Sequence, residues 1–491
     1  MPLPTIPSGN VSSGLATGYN VANSLRFNDG SSDFLSFTQG TATSRKTFSI
    51  SVWVKRANLS AQQQIFETWL DNNNRTDMQF TASDKILLQQ TLSGSTSINI
   101  ETSRLFRDVS AWYHILAVFN TTESTSSDRV KLYINGVQET SFSPATYPSL
   151  NADLALGTSS YTNFLGKYSS SGGNYFDGYM AEYVFTDGTA LSNTDVGEFD
   201  EDSPTIWKPI DVSSLTFGTN GFYLDFENSG SLGADVSGNS NNFTVNNLTS
   251  VDQSTDTCTN NFATMNPLDV SLPSTFALSE GNLDALLNGF SSSGGNTYPR
   301  AFSTFQLTSG KWYAECKITE EGDSGVIGVS ARTAISHVNI GGTNYDWLGI
   351  NAHDYRYYHD GTKMNNNSSS SYGTTWDGGD TIGVALDLDN LAVYFSLNGT
   401  FQASGDPTSG SSRTNAAFNL TAVASTPNGA YKIGIGTQGD TNNVQGQWNF
   451  GSPPYAISSG NSDGNNLGNF EYAVPSGYLA LCTKNLGSDG G

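Results

Sequence analysis

The chain has 491 residues and a formal charge of −23, from 22 Lys and Arg against 45 Asp and Glu, yet only 14% of residues are charged while 12% are aromatic and 51 are Gly. Such an acidic balance lacks the basic face that displaces counterions from nucleic acid, and an anionic lipid surface would repel it. No apolar run approaches the roughly 20 residues of a spanning helix. Cys258, Cys316 and Cys482 are too widely spaced for a disulfide framework or a metal-ligand motif.

Residues 1–20 are rich in Pro, Ser and Gly, lack the basic region and apolar core of a secretory signal, and read as an extended arm. Strand signals begin at Val21. Ser24–Phe27 leads to Phe34–Phe37, and Phe48–Lys55 alternates apolar and polar residues over its whole length, the period of a half-buried strand. Trp112–Phe119 and Val130–Ile134 follow. The latter ends on Asn135-Gly136, a dipeptide that accepts the positive φ angles of a tight hairpin. Phe176–Phe185 closes this part, which spans 21–200.

The region 201–270 reads as a partly structured connector. Phe222, Tyr223, Leu224 and Phe226 make a strand that needs a packing partner, and Asp235–Phe243 is a tight turn of residues tolerant of left-handed backbone. A second β part runs over 271–457, with Lys311–Ile318, Gly325–Val329, Tyr431–Gly436 and a closing strand at Trp448–Gly451. Its strongest signal is Gly379–Asp389 followed by Leu391–Thr400, two alternating runs that end on Asn398-Gly399. Asn282–Asn288 predicts one or two helical turns. Residues 458–491 predict one strand, at Tyr478–Cys482, and a flexible Gly/Ser/Asp tail. The expected fold is all-β: two antiparallel β-sandwiches of jelly-roll type joined by the connector, with no βαβ unit to support a nucleotide-binding fold.

These segments carry resemblances. "SLRFNDGSSDFLSF", "FSISVWVKR", "WYHILAVFN", "VKLYINGVQ" and "FDGYMAEYVFTDGTALS", in that order, resemble a LamG or concanavalin A-like domain. "GKWYAECKI", "IGV", "GDTIGVALDLD" and "YFSLNGT" resemble a SPRY domain. The two together, with the Asp235–Phe243 turn and Thr259–Leu268 between them, resemble a virion protein of marine tailed bacteriophages. That resemblance implies a non-enzymatic particle-surface protein, synthesised in a host cytoplasm. Its place is a tail fibre, spike or adhesin that binds host-surface glycans or another receptor, with a head-decoration role as the alternative. It also implies that residues 1–20 attach the chain to other virion proteins and that the protein is a homo-oligomer within the particle, with no nucleic-acid or membrane partner.

The rival reading is a polysaccharide hydrolase, which needs two carboxyls on one face. Glu198–Asp202 has suggestive spacing but lacks alternating apolar anchors, so a solvated acidic turn is expected there. Asp387 and Asp389 are expected to cap turns. His114 is expected to pack beside Trp112, and the gap between His353 and His359 suits neither a strand face nor a helix turn. No cofactor is expected, although LamG-like sandwiches admit structural calcium, for which Asp71–Asn74 and Asp177 offer hard oxygens. The candidate ligand-binding residues are Trp69, Asn72 and Asn73 in the first sandwich and Tyr345, Asp346, Trp347, Tyr355, Tyr357, Tyr358 and His359 in the second, where rings can stack on sugar or fill a protein hot spot. Alternate residues such as Tyr355 and Tyr357 have an equal claim on the core.

Overall fold

In the computed structural model, which describes residues 18–169, 172–271, 276–288, 298–332, 338–340, 343–345, 347–438 and 443–489, the alternating segments are antiparallel strands. They divide into two units, on either side of the bond between Asn261 and Phe262.

The first unit stacks two sheets, each of eight strands among the described residues. The back sheet runs in the order Val137–Glu139, Val130–Ile134, Trp112–Asn120, Thr47–Arg56, Gly178–Asp187, Ser24–Phe27, Gln253–Ser254, with Phe222–Leu224 also paired to Gly178–Asp187. The front sheet runs Phe142–Thr146, Ser95–Thr102, Ile86–Leu92, Asn74–Phe80, Gln63–Asp71, Thr162–Leu165, Phe34–Thr38, Thr244–Asn246. Alternate residues of both sheets, among them Ile50, Val52, Val54, Met78, Phe80, Ile86 and Leu88, meet in one core. Burying each such side chain contributes about 1.5–3 kcal/mol. Phe185 anchors it, stacked on Phe48 at 5.7 Å, Phe66 at 5.9 Å and Phe222 at 5.4 Å.

Residues 201–261 belong to this unit. Phe222–Leu224 extends the back sheet and Thr244–Asn246 the front one, and Phe222, Leu224, Phe226, Leu232 and Phe243 fill the core. The Asp235 turn is closed by its own polar side chains. Asp235 accepts from the N–H groups of Tyr223, Ser237 and Asn241, while Asn239 and Asn241 donate to the carbonyls of Gly218, Thr219 and Gly221. The Asn135-Gly136 hairpin has φ of 49° and 74°, as expected of a tight turn. Trp207 lies against Gly136, where an added Cβ would come within 2.2 Å of its ring.

The second unit also pairs two sheets. Lys311–Glu320, Thr381–Asp387 and Ala392–Leu397 are neighbours in one, and the Asn398-Gly399 turn has φ of 48° and 78°. Lys432–Thr437, Gly325–Ser330 and Asp354–Tyr358 are neighbours in the other. Trp312, Trp376 and Trp448 are buried between them.

Two local expectations are corrected. Asp284–Leu287 is a strand, not a helical turn, held between Phe276–Ser279 and Val444–Asn449 with Ala285 and Leu287 wholly buried. Pairing on both sides outweighs the helix propensity of so short a run. The expected strand near Tyr478–Cys482 is there, Leu479–Ala480 pairing in parallel with Lys311–Glu320, but the segment after it is a seven-residue helix, Thr483–Asp489, rather than a flexible tail. Asn485 ties it down by donating to Asp463 at 2.7 Å and to the Ala480 carbonyl at 2.9 Å.

Candidate functional site

The front sheet of the first unit turns one face to the core and the other outward. The strands Gln63–Asp71 and Asn74–Phe80 form a hairpin whose register sets Glu67 opposite Asp77 and Trp69 opposite Arg75, with two bulges. Period-2 alternation then places Gln89 beside Asp77 and Thr91 beside Arg75 on the next strand, and Thr162 beside Trp69 on the other side. Trp69 is partly exposed. Arg75 is held in place by three acceptors: Asp77 at 3.0 Å, the Asn72 carbonyl at 2.6 Å and Gln89 at 3.4 Å. Its guanidinium stacks 5.7 Å from the ring of Tyr168. The result is a platform of one indole, one phenol, a fixed guanidinium and an amide.

Tyr168 belongs to a segment that lies over this face. Lys167 anchors it, with its ammonium 4.1 Å from the ring of Phe34 and within 6 Å of Phe164 and Tyr175. The Ser169 N–H donates to Glu67, and Gln64 N–H donates to the Asn174 carbonyl at 2.9 Å. Beneath it Glu67 and Asp77 are 0% and 1% exposed. Burial first, and then the facing Asp77, pushes the Glu67 carboxyl up to about 9. Burial raises Asp77 as well, against the pull of Arg75.

The residues singled out in the sequence distribute unevenly. Trp69 stands on the platform. Asn72 and Asn73 are exposed at the hairpin tip beside it. Asp71 organises that tip, accepting from Asn73 N–H at 2.8 Å and from the Asn74 amide at 2.9 Å, and Asp177 is buried. Tyr355 and Tyr357, offered as surface rings, are core residues at 3% and 0% exposure: the first packs on Phe418 and Tyr431, the second on Tyr372, Trp376 and Phe395. Strand alternation sends these two inward and leaves Arg356 and Tyr358 on the outer face. Tyr358 and His359 are partly exposed, with rings 4.4 Å apart and the Arg356 guanidinium 4.8 Å above Tyr358. Arg356 also donates to the Leu348 carbonyl at 3.2 Å, and neighbouring Trp347 meets Tyr298 edge-on at 5.6 Å. Tyr345 lies in the short strand Thr343–Tyr345, its side chain outside the described residues together with all of Asp346.

Glu198, Asp200, Asp387, Asp389 and His114 have structural partners. Glu198 and Asp200 both face Lys208, at 3.2 and 3.6 Å, in a two-stranded ribbon. Asp387 accepts from Asn390 and pairs with Lys311 at 3.1 Å, and Asp389 accepts from Gly310 N–H at 2.8 Å. His114 lies between Trp53 and Trp207 rather than on Trp112, bonded to Ser51 at 2.8 Å and accepting from the Trp207 indole at 3.1 Å. Burial drives it down to about 3, so it is neutral in the fold. Among the described residues no three His, Cys, Asp or Glu side chains converge on one point.

Reading the sequence missed Glu67, Arg75, Asp77, Tyr168 and Gln89. The first three had a signal: the Asn-rich Asp71–Asn74 turn folds Gln64–Leu70 back on Arg75–Phe80 and carries Glu67 onto Asp77. Tyr168 and Gln89 had none, since each reaches the site through tertiary pairing.

Two family models match. One, described as the concanavalin A-like lectin/glucanases superfamily, matches residues 29–197. The other, the SPRY domain, matches residues 311–429. Among solved structures, the SPRY domain of human HERC1 is 14% identical, with a TM-score of 0.28, over 38% of this chain and 96% of that one. Stonustoxin is 17% identical, with a TM-score of 0.26, over 38% of this chain and 27% of its own length. A heptameric SAP-like pentraxin from Limulus polyphemus is 16% identical, with a TM-score of 0.28, over 36% of this chain and 81% of that one. No curated protein matches the sequence. The chain therefore combines a concanavalin A-like sandwich with a SPRY sandwich.

Proposed function

We propose that the chain is a non-enzymatic recognition protein that binds glycans on the outer face of its first sandwich. The observation that supports this is the pairing of Trp69 with Arg75 across the hairpin. A partly exposed indole offers an apolar face to sugar C–H groups, and an immobilised guanidinium and the Gln89 amide beside it offer donors to hydroxyls. Arg75 is held before any ligand arrives, so little side-chain entropy is lost on binding. Each site is small and its affinity weak, and many copies supply avidity.

The likeness of Asp235–Phe243 and Thr259–Leu268 to tailed-phage virion proteins extends the proposal. The protein is carried on the surface of a phage particle, joined to other virion proteins through residues 1–20, and reads the host surface. An array of bacterial and algal glycans tests it, probed with the whole chain and with Trp69→Ala and Arg75→Ala. Wild-type binding to a glycan class, weakened at least tenfold in both variants, is the expected result. Binding unchanged by either substitution overturns the platform. An empty array favours an architectural decoration protein, and new reducing ends released from a polysaccharide favour a hydrolase.

A further inference from the structure

Strand alternation puts Lys55 on the same face of the back sheet as Trp53, and its register partners are Trp112 on one side and Tyr179 on the other. Val21, Trp53, Trp112, Tyr179 and Trp207 pack together there, and the lysine is 1% exposed. Its ammonium donates to two oxygens, Asp256 Oδ2 at 2.7 Å and Asn261 Oδ1 at 2.7 Å. Asp256, also 1% exposed, accepts from the Trp112 indole at 3.1 Å through its other oxygen. Asn261 donates through Nδ2 to the Ser110 carbonyl at 2.6 Å. That bond orients the amide so that its oxygen, not its nitrogen, meets the lysine.

An ion pair accounts for Lys55 with Asp256 but not for the carboxamide that shares the ammonium. Among the described residues the other buried lysines are Lys167, which lies over rings, and Lys432, which meets Asp269 and the Phe302 ring. Lys55 alone of the three has an amine, an acyl group and a proton carrier brought together in a dry site. We propose that Lys55 and Asn261 join in an intramolecular isopeptide bond, with Asp256 carrying the proton. Asp256 takes one proton from the Lys55 ammonium, which cancels two buried charges at once. The freed lone pair on Nζ forms a bond to Cγ of Asn261 as the carbonyl electron pair moves onto Oδ1. A second Nζ proton passes to Nδ2, the carbonyl reforms, the Cγ–Nδ2 bond breaks and ammonia leaves. The third proton stays on the new amide, and no oxidant, reductant or added reactant is consumed. An amine already held on the carboxamide oxygen needs little reorientation to reach the adjoining carbon. Asn261 is partly exposed, which gives ammonia a way out.

The bond ties the last residue of the first unit to Thr47–Arg56, a strand paired on both sides. Val21 already exchanges bonds with the Thr259 hydroxyl through its N–H and its carbonyl, at 3.1 and 3.2 Å, so the start and the end of the unit are clamped close together. A pull on the chain beyond Asn261 then enters the unit at Lys55 and does not peel the strands between. The test is mass spectrometry of the intact whole chain and of Lys55→Arg, Asp256→Asn and Asn261→Ala. The wild type is lighter than its sequence mass by one ammonia, and a protease digest contains a branched peptide that carries both Lys55 and Asn261. The three variants have their full sequence masses. Lys55→Arg keeps the charge and removes the nucleophile, so it folds without the bond. A wild-type chain of full mass overturns the proposal. So does a mass deficit that persists in Lys55→Arg or that comes without the branched peptide, because Asn261 closing on its own backbone releases the same ammonia.

Discussion

Both sandwiches bury carboxylates on the outward side of a sheet, but they neutralise them in different ways. In the second sandwich two of them have a cation beside them. Asp269 pairs with Lys432, both almost fully buried, and Asp354 lies 3.9 Å from Arg300 and accepts from Ser330 at 2.5 Å. In the first, Glu67 and Asp77 face each other and share one arginine. A matched pair is a structural device, costly to break and close to neutral to replace whole. Two carboxyls in one dry spot hold a proton, so they respond to pH.

Breaking the matched pair gives the largest expected effect. Asp269→Ala strands Lys432 in a desolvated position and destabilises the second unit by about 3–5 kcal/mol in urea unfolding, whereas replacing both partners with apolar residues costs far less. If the single and double replacements cost the same, the contrast between the two regions fails. Tyr357→Ala sharpens it from the packing side: a wholly buried ring in contact with three others predicts a loss of about 3–5 kcal/mol. A residue reading a ligand at the surface would lose under about 1 kcal/mol on the same change.

The unmatched pair predicts a pH dependence of opposite character. Glu67 has its folded value raised from 4.5 to about 9, so the fold holds a proton that the unfolded chain releases. Its contribution is full below about pH 4.5 and is lost as pH rises toward 9, with a limiting slope of about 1.4 kcal/mol per pH unit. Glu182, raised to about 7 by burial, adds the same sign over a narrower range. Glu67→Gln flattens the profile between pH 7 and 9, where Glu182 no longer contributes; an unchanged slope there shows that the pair is not coupled as its geometry requires. Gly136→Ala comes next, at about 1–2 kcal/mol for the left-handed backbone alone, with the Trp207 ring forced to move. Trp69→Ala is smallest in stability, under about 1 kcal/mol for a partly exposed side chain, and shows its effect in glycan binding.

Much of the fold was legible along the chain because strand alternation and Asn-Gly turns are local. Phe48–Lys55, Trp112–Phe119 and the 381–397 hairpin are strands where the pattern placed them, and both Asn-Gly turns have positive φ at both residues. Local reasoning failed where pairing partners decide. Asp284–Leu287 became a strand because two distant strands flank it, and the helix Thr483–Asp489, where a flexible tail was expected, is tied to Asp463.

The candidate site shows the same division. Trp69 and the Asn-rich tip could be named from residue type, but alternation alone could not say which face of Asp354–Tyr358 was core, and Tyr355 and Tyr357 fell inside. From its own order of residues the chain determined two sandwiches, their hairpins and an acidic exterior, because side-chain period and turn chemistry act between near neighbours. Only the tertiary structure brought Glu67 onto Asp77 in a two-bulge register, laid Lys167–Ser169 over them and set Arg75 beside Trp69. Burial and facing charge are properties of what lies across from a residue, and those neighbours come from strands and segments that meet only in the folded chain.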